Sequence, residues 1–173
     1  MSYVIGVDLG GTQLRAIRTD QTGQALAYER TETANESGPD AVIAQIETLI
    51  TAVCTGNSRA DVRGIGVGAP GPIDPANGIL FNPPNLLGWV DVPIKALLQE
   101  RTGLPVEVGN DANVAALGEW RFGSGRDCRH FIYVTISTGI GGGVIADSRL
   151  LLGRKGIAGE VGHMTVQTDG PLC

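Results

Sequence analysis

The chain has 173 residues, 42% of them apolar and 18% charged, with a formal charge of -5. That is room for one ordinary domain, or for one domain and part of another, with the composition of a soluble globular protein. The acidic balance and the lack of a Lys/Arg-rich run argue against a nucleic-acid surface, which needs clustered cations.

From Met1-Ser2-Tyr3 the sequence enters an apolar strand with neither a basic leader nor a long apolar segment, so no membrane partner and a cytoplasmic location are expected. Val4-Ile5-Gly6-Val7-Asp8 predicts a buried strand, and Leu9-Gly10-Gly11-Thr12 predicts the turn that follows it. Two readings stand for that turn. Glycine either serves a hairpin, or lets backbone N–H groups face a phosphate while Asp8 offers an oxygen to Mg²⁺. A second strand over Leu14–Thr19 and a third over Ala25–Glu29, after Gly23, complete an antiparallel meander. A glycine turn between two strands is neither a P-loop nor a dinucleotide fingerprint, both of which open a helix.

The first helix is expected to begin near Pro39-Asp40 with Ser37 as cap, to bury Val42, Ile43, Ile46, Leu49, Ile50 and Val53, and to stop at Gly56-Asn57. Cys54 at its end reads as packing. A strand over Val62–Gly68 follows, and its alternating glycines predict that another backbone lies close. Ala69-Pro70-Gly71-Pro72-Ile73-Asp74-Pro75 is a stiff turn. In the loop Phe81–Trp89, Asn82 and Asn85 either stabilise turns or present amides to a polyhydroxylated ligand. A short helix over Pro93–Thr102 ends at Gly103, and the strand Val106-Glu107-Val108 delivers Gly109-Asn110-Asp111.

Asn110-Asp111 opens a helix to about Phe122, with Val114, Leu117 and Trp120 or Arg121 set between packed and exposed faces. These two residues are either helix caps or ligands at the carboxyl end of a strand, where the helix N-terminus would hold Asp111 ionised. Gly123-Ser124-Gly125 is the expected hinge. The strand Phe131–Ile136, the turn Ser137–Gly143 and the strand Val144–Ala146 repeat the logic of the opening hairpin, so two phosphate-facing hairpins could clamp one nucleotide. Three cysteines, Cys54, Cys128 and Cys173, give no disulfide framework.

Asp8-Leu9-Gly10-Gly11-Thr12, Ala69-Pro70-Gly71-Pro72, Asn110-Asp111, Ser137-Thr138-Gly139-Ile140-Gly141-Gly142-Gly143 and Gly159-Glu160-Val161-Gly162-His163 together resemble the ROK family of repressors and sugar kinases. The resemblance implies an α/β, actin-like (ribonuclease H-like) ATPase fold with the active site between two domains. Residues 1–122 would form the first and 123–173 the incomplete beginning of the second. It implies an ATP-dependent hexose kinase of the glucokinase type. Asp8, Gly10, Gly11 and Thr12 would serve ATP and Mg²⁺, joined by Thr138, Gly139, Gly141 and Gly142 from the second hairpin. Gly71, Asn85, Asn110, Asp111, Glu160 and His163 would bind the sugar, with Asp111 as catalytic base.

His163 and Cys173 would belong to a structural zinc site whose further cysteines lie beyond this sequence, which is accordingly expected to be an N-terminal portion. Gln13 stands where many members carry a basic residue. The resemblance also allows a homodimer. Two other functions remain open: a sugar-responsive regulator of the same family without its DNA-binding domain, for which Met1 lies too near the first strand, and an inactive folded fragment.

Overall fold

A computed structural model describes residues 2–54, 60–137 and 139–170. Gly56, Asn57, Thr138 and Cys173 lie outside the described residues. The opening meander forms as β1 (Tyr3–Leu9), β2 (Gln13–Thr19) and β3 (Ala25–Glu32), the last running three residues beyond the expected end at Glu29. Alternation fixes its faces: Ile5, Val7 and Leu9 of β1 and Leu14 and Ala16 of β2 are buried on one side.

The helix α1 (Gly38–Val53) covers that side with the expected six residues, Val42, Ile43, Ile46, Leu49, Ile50 and Val53. Each such aliphatic side chain contributes about 1.5–3 kcal/mol when fully buried. The start differs from expectation. A single 3₁₀ turn, Asn35–Ser37, leads into the helix, and Ser37 at the N-cap has a helical backbone (φ -87°, ψ 0°) rather than the extended one a capping side chain needs, so its hydroxyl makes no capping bond.

After α1 come β4 (Val62–Ala69), a small hairpin of β5 (Ile73–Asp74) and β6 (Ile79–Leu80), α2 (Ile94–Thr102), β7 (Val106–Asn110) and α3 (Asp111–Phe122). The sheet order is β3-β2-β1-β4-β7, with β4 parallel to β1 and β7 parallel to β4. Trp89 and Leu86, from the loop before α2, are fully buried.

The opposite sheet face is built differently. Gly6 of β1 and Gly64, Gly66 and Gly68 of β4 leave it without side chains, and α3 lies on one end of it. The expected close backbone is met at Gly64, where a Cβ would stand 3.1 Å from the Pro105 carbonyl oxygen; at Gly68 the Asp111 Cα lies at an ordinary contact distance of 3.7 Å, and at Gly66 no described atom comes within 4 Å. A groove of about 900 Å³ therefore runs over Gly64 and Gly66, flanked by Val114 and Leu117. Val114 and Leu117, expected to be set between packed and exposed faces of α3, are 39% and 36% exposed, while Ala112, Asn113 and Ala116 are the buried ones.

Beyond α3, the residues Gly123-Ser124-Gly125 are a tight turn rather than a loosened segment. Glu119 holds it: its carbonyl accepts from the Gly123 and Gly125 N–H groups, and its carboxylate accepts from the Ser124 N–H and hydroxyl at 3.0 Å each. A three-stranded sheet follows, β8 (Phe131–Ile136), β9 (Ile140–Ala146) and β10 (Arg149–Leu150), in the order β10-β9-β8.

Here the sequence reading needs correction. Gly141, Gly142 and Gly143 are not turn but strand, since β9 already pairs with β8 at Ile136 and Ile140, leaving 137–139 as the connection. Alternate sides of that glycine run meet different neighbours. A Cβ at Gly143 would stand 2.5 Å from Ala116 Cβ of α3, and one at Gly142 would stand 2.8 Å from the Gly159 carbonyl oxygen. These glycines let β9 lie between α3 and the segment that carries Glu160 and His163.

Candidate functional site

The carboxyl ends of β1, β4 and β7 form one row in register, Asp8 beside Gly68 and Gly68 beside Gly109. Because Gly109 has no side chain, the first turn of α3 settles onto the end of β7 there. A Cβ at Gly109 would stand 3.0 Å from Val114 Cγ2, which shows how little space separates helix from strand. Asp111, the first residue of α3, is thereby brought near enough to Asp8 for the two carboxylates to act on each other.

Asn110 and Asp111 divide their roles. The Asn110 side-chain oxygen accepts from the N–H groups of Ala112 and Asn113 at 3.0 and 3.2 Å, so Asn110 is the N-cap. Its amide nitrogen lies 3.4 Å from the position of a Cβ on Gly71, which puts the two together. The Asp111 carboxylate accepts from the Ala112 N–H at 2.8 Å.

Its acidity departs from what the helix terminus alone predicts. Partial removal from water raises the Asp111 carboxyl above the ordinary carboxylate value; the Ala112 N–H opposes this, and the negative charge of Asp8 adds to it. The sequence reading counted the helix N-terminus and missed the neighbouring carboxylate, which only the sheet row reveals.

Gly10 closes the opening turn by donating its N–H to the Gln13 carbonyl at 3.0 Å. Thr33 braces it from β3's side, its hydroxyl donating to the Gly10 carbonyl and its N–H to the Thr12 carbonyl. The Gly11 and Thr12 N–H groups have no acceptor among the described residues. A side chain at Gly11 would run into the Asn85 carbonyl oxygen, so the turn and the Asn85 loop touch through backbone.

Asn35 fixes that loop, donating from its amide to the Asn85 carbonyl at 2.9 Å and accepting from the Leu87 N–H at 2.8 Å. Sequence reasoning did not single out Asn35, and a separation of 50 positions from Asn85 gives no local signal for it. Nor did it single out Arg15, which faces Asp8 across the β1–β2 pair and binds it at 3.0 Å.

Glu160 precedes the 3₁₀ turn Val161–His163, and their side chains face each other with His163 Nε2 3.8 Å from Glu160 Oε2. The glycine run of β9 lies between that segment and α3, with Gly142 against Gly159 and Val161 and Gly143 against Ala116. Gly139 lies in the β8–β9 connection, while Thr138 and Cys173 are outside the described residues. Among the described residues no three His, Cys, Asp or Glu side chains are grouped to hold a metal ion, and no helix is long and apolar enough to cross a membrane.

Comparison with known proteins bears on these groups. The ROK family model matches residues 4–173. A glucokinase of Thermotoga maritima is 42% identical over 170 residues, covering 98% of this chain and 53% of that protein. The xylose repressor of Bacillus subtilis is 38% identical over 174 residues, covering 99% of this chain and 44% of the repressor. The structure of a ROK family glucokinase from Streptomyces griseus in complex with glucose and AMPPNP superposes with a TM-score of 0.87 at 38% identity, over 99% of this chain and 53% of that one. The chain spans about half the length of the relatives it matches.

Proposed function

The chain belongs to the ROK family and has its actin-like ATPase fold, and from that premise we propose that it is the part of an ATP-dependent hexose kinase, of the glucokinase type, that carries the catalytic base. The observation that carries the reading is the placement of Asp111 at the start of α3, directly after β7 and within reach of the Asp8 charge at the end of β1. Residues 1–122 and 123–173 are taken as parts of two domains flanking the cleft.

Asp111 accepts a hydrogen bond from the sugar hydroxyl and takes its proton as the oxygen attacks the γ-phosphorus. A carboxylate with raised pKa is a stronger base than one held low by a helix terminus, which suits that task. Asn110 and Gly71 line the sugar's approach, with Asn85 on the opposite loop and Glu160 and His163 on the segment behind β9. Gly11 and Thr12 offer amides to phosphate oxygens, and the connection holding Thr138 and Gly139 does so from the second sheet.

A carboxylate is a suitable hard-oxygen donor for Mg²⁺, which binds through one or two carboxylates together with phosphates and water. Asp8 would hold it, leaving Asp111 free as the base, and it would neutralise charge on the transferring group. Of the two expected zinc ligands, His163 stands 3.8 Å from Glu160, and Cys173 lies outside the described residues.

The test is ATP-dependent phosphorylation of a panel of hexoses by the protein that carries this chain, with and without Asp111→Asn. Removing the base should lower kcat by about 10²–10⁴-fold with sugar KM little changed. Equal rates would remove Asp111 from the mechanism. The likeness to the xylose repressor supports a second reading, a sugar-binding regulator; sugar binding without any phosphorylation by the parent protein would favour it.

A further inference from the structure

We propose that Arg15 is the phosphate-contacting cation of this site, held ready by Asp8 and Gln13; the inference rests on the kinase reading above. The groups assembled for the sugar and nucleotide are acidic, with Asp8, Asp111 and Glu160 among them, and a polyphosphate adds further negative charge. Such a ligand is repelled unless cations compensate. Among the described residues, Arg15 is the one permanent cation in ion-pair contact with any of these carboxylates.

Its placement follows from strand alternation. Gln13 and Arg15 of β2 share a face, and Asp8 is the direct cross-strand partner of Arg15, so all three side chains stand at the mouth of the glycine turn. The guanidinium donates from Nη1 to Asp8 at 3.0 Å and from Nη2 to the Gln13 side-chain oxygen at 2.6 Å. An arginine has five N–H donors in a fixed fork, so three remain for phosphate oxygens while the first two set its direction.

The ion pair is also free to exchange. Its two side chains are 46% and 53% exposed, and pairs so open to water are held weakly. When Asp8 turns to a metal ion, Arg15 can turn fully to phosphate, and the site gains a cation where Gln13 supplies none.

The chain, labelled with ¹⁵N, is titrated with sodium tripolyphosphate at fixed ionic strength, with and without Mg²⁺, while the Gly11 and Thr12 amides and the Arg15 Nε–H are followed by NMR. The three signals should move together with one dissociation constant. Arg15→Ala should weaken binding about tenfold or more, Arg15→Lys should recover part of the loss, and Asp8→Asn should tighten Mg²⁺-free binding only while Arg15 is present.

Equal affinity in parent and Arg15→Ala, with Gly11 and Thr12 still responding, overturns the role of Arg15 and leaves the phosphate reading intact. Failure of Gly11 and Thr12 to respond in the parent chain overturns both. If Arg15→Ala does not fold, a stationary Arg15 Nε–H in the saturated parent overturns the proposal by itself.

Discussion

Replacing Gly11 by alanine tests whether the glycine turn and the Asn85 loop are one mechanical unit. Gly11 is not among the residues with positive φ, so the substitution strains no dihedral. By restricting the unfolded chain alone it would stabilise by about 0.4–1 kcal/mol. Against this stands the contact: the new methyl group would lie 3.1 Å from Asn85 Cβ and far inside contact range of the Asn85 carbonyl oxygen, so the loop must retreat by about 1 Å. Overpacking of that kind costs about 1–3 kcal/mol, and because the obstacle is backbone rather than a flexible side chain, it prevails.

The net loss is about 0–2.6 kcal/mol, centred on about 1.3 kcal/mol, or about 3–5 °C in Tm for a chain of this length. Differential scanning calorimetry reads the Tm. Trp89, fully buried at the end of the loop, reports displacement by fluorescence in a Trp120→Phe background. Asn35→Ala, which removes both bonds that pin the loop, should partly suppress the effect, since both changes act on one element. A Tm equal to or above the parent's, with unchanged Trp89 emission, would refute the coupling.

Two predictions concern protons. Asp8→Asn removes one of the influences that raise Asp111, so the Asp111 carboxyl should titrate lower in that variant by ¹³C NMR; an unchanged midpoint would mean the two carboxylates do not interact. Because the folded-state pKa of Asp111 is raised, its ionisation opposes folding: Asp111→Asn should raise Tm at pH 7 and lose that advantage below the unfolded carboxyl value, near pH 3. Asp20, Asp74 and Glu119 carry the opposite sign. Thr22, Asn77 and Ser124 respectively hold these carboxyls below their ordinary values, so their contribution is complete above those values and is lost as pH falls through the folded-state pKa. Urea midpoints should therefore fall between pH 5 and pH 3, less steeply in Glu119→Gln.

What could be read from the sequence was whatever depends on near neighbours. The α1 stripe follows from helical spacing, the order strand–turn–strand around Gly10-Gly11 follows from apolar runs broken by glycine, and the Asn110 cap follows from residue type at a strand-to-helix junction. Errors arose where a local pattern had two physical causes. Gly141-Gly142-Gly143 has the composition of a turn, but its cause is crowding on both faces of β9, and the crowding atoms belong to α3 and to residue 159. Asp111 has the address of a helix-stabilised anion, yet burial and Asp8 outweigh the backbone N–H groups of Asp111 and Ala112 that favour its charge. Asn35 and Arg15 carry no motif at all, because their partners are fixed by loop approach and by cross-strand register.

Those errors share a rule that also explains the composition. Glycine in this chain serves close approach more than flexibility: Gly11 admits the Asn85 backbone, Gly68 and Gly109 admit the first turn of α3, and Gly141 to Gly143 admit α3 on one side and the Glu160 segment on the other. In each case the two surfaces brought together carry different candidate groups, phosphate turn with sugar loop, Asp8 with Asp111, and α3 with His163. The relative placement of those groups is thus set by missing side chains. Substitutions at these glycines should therefore disturb the geometry between groups before they unfold any element, a signature distinct from loss of a ligand and visible as altered KM for one substrate while the secondary structure remains intact.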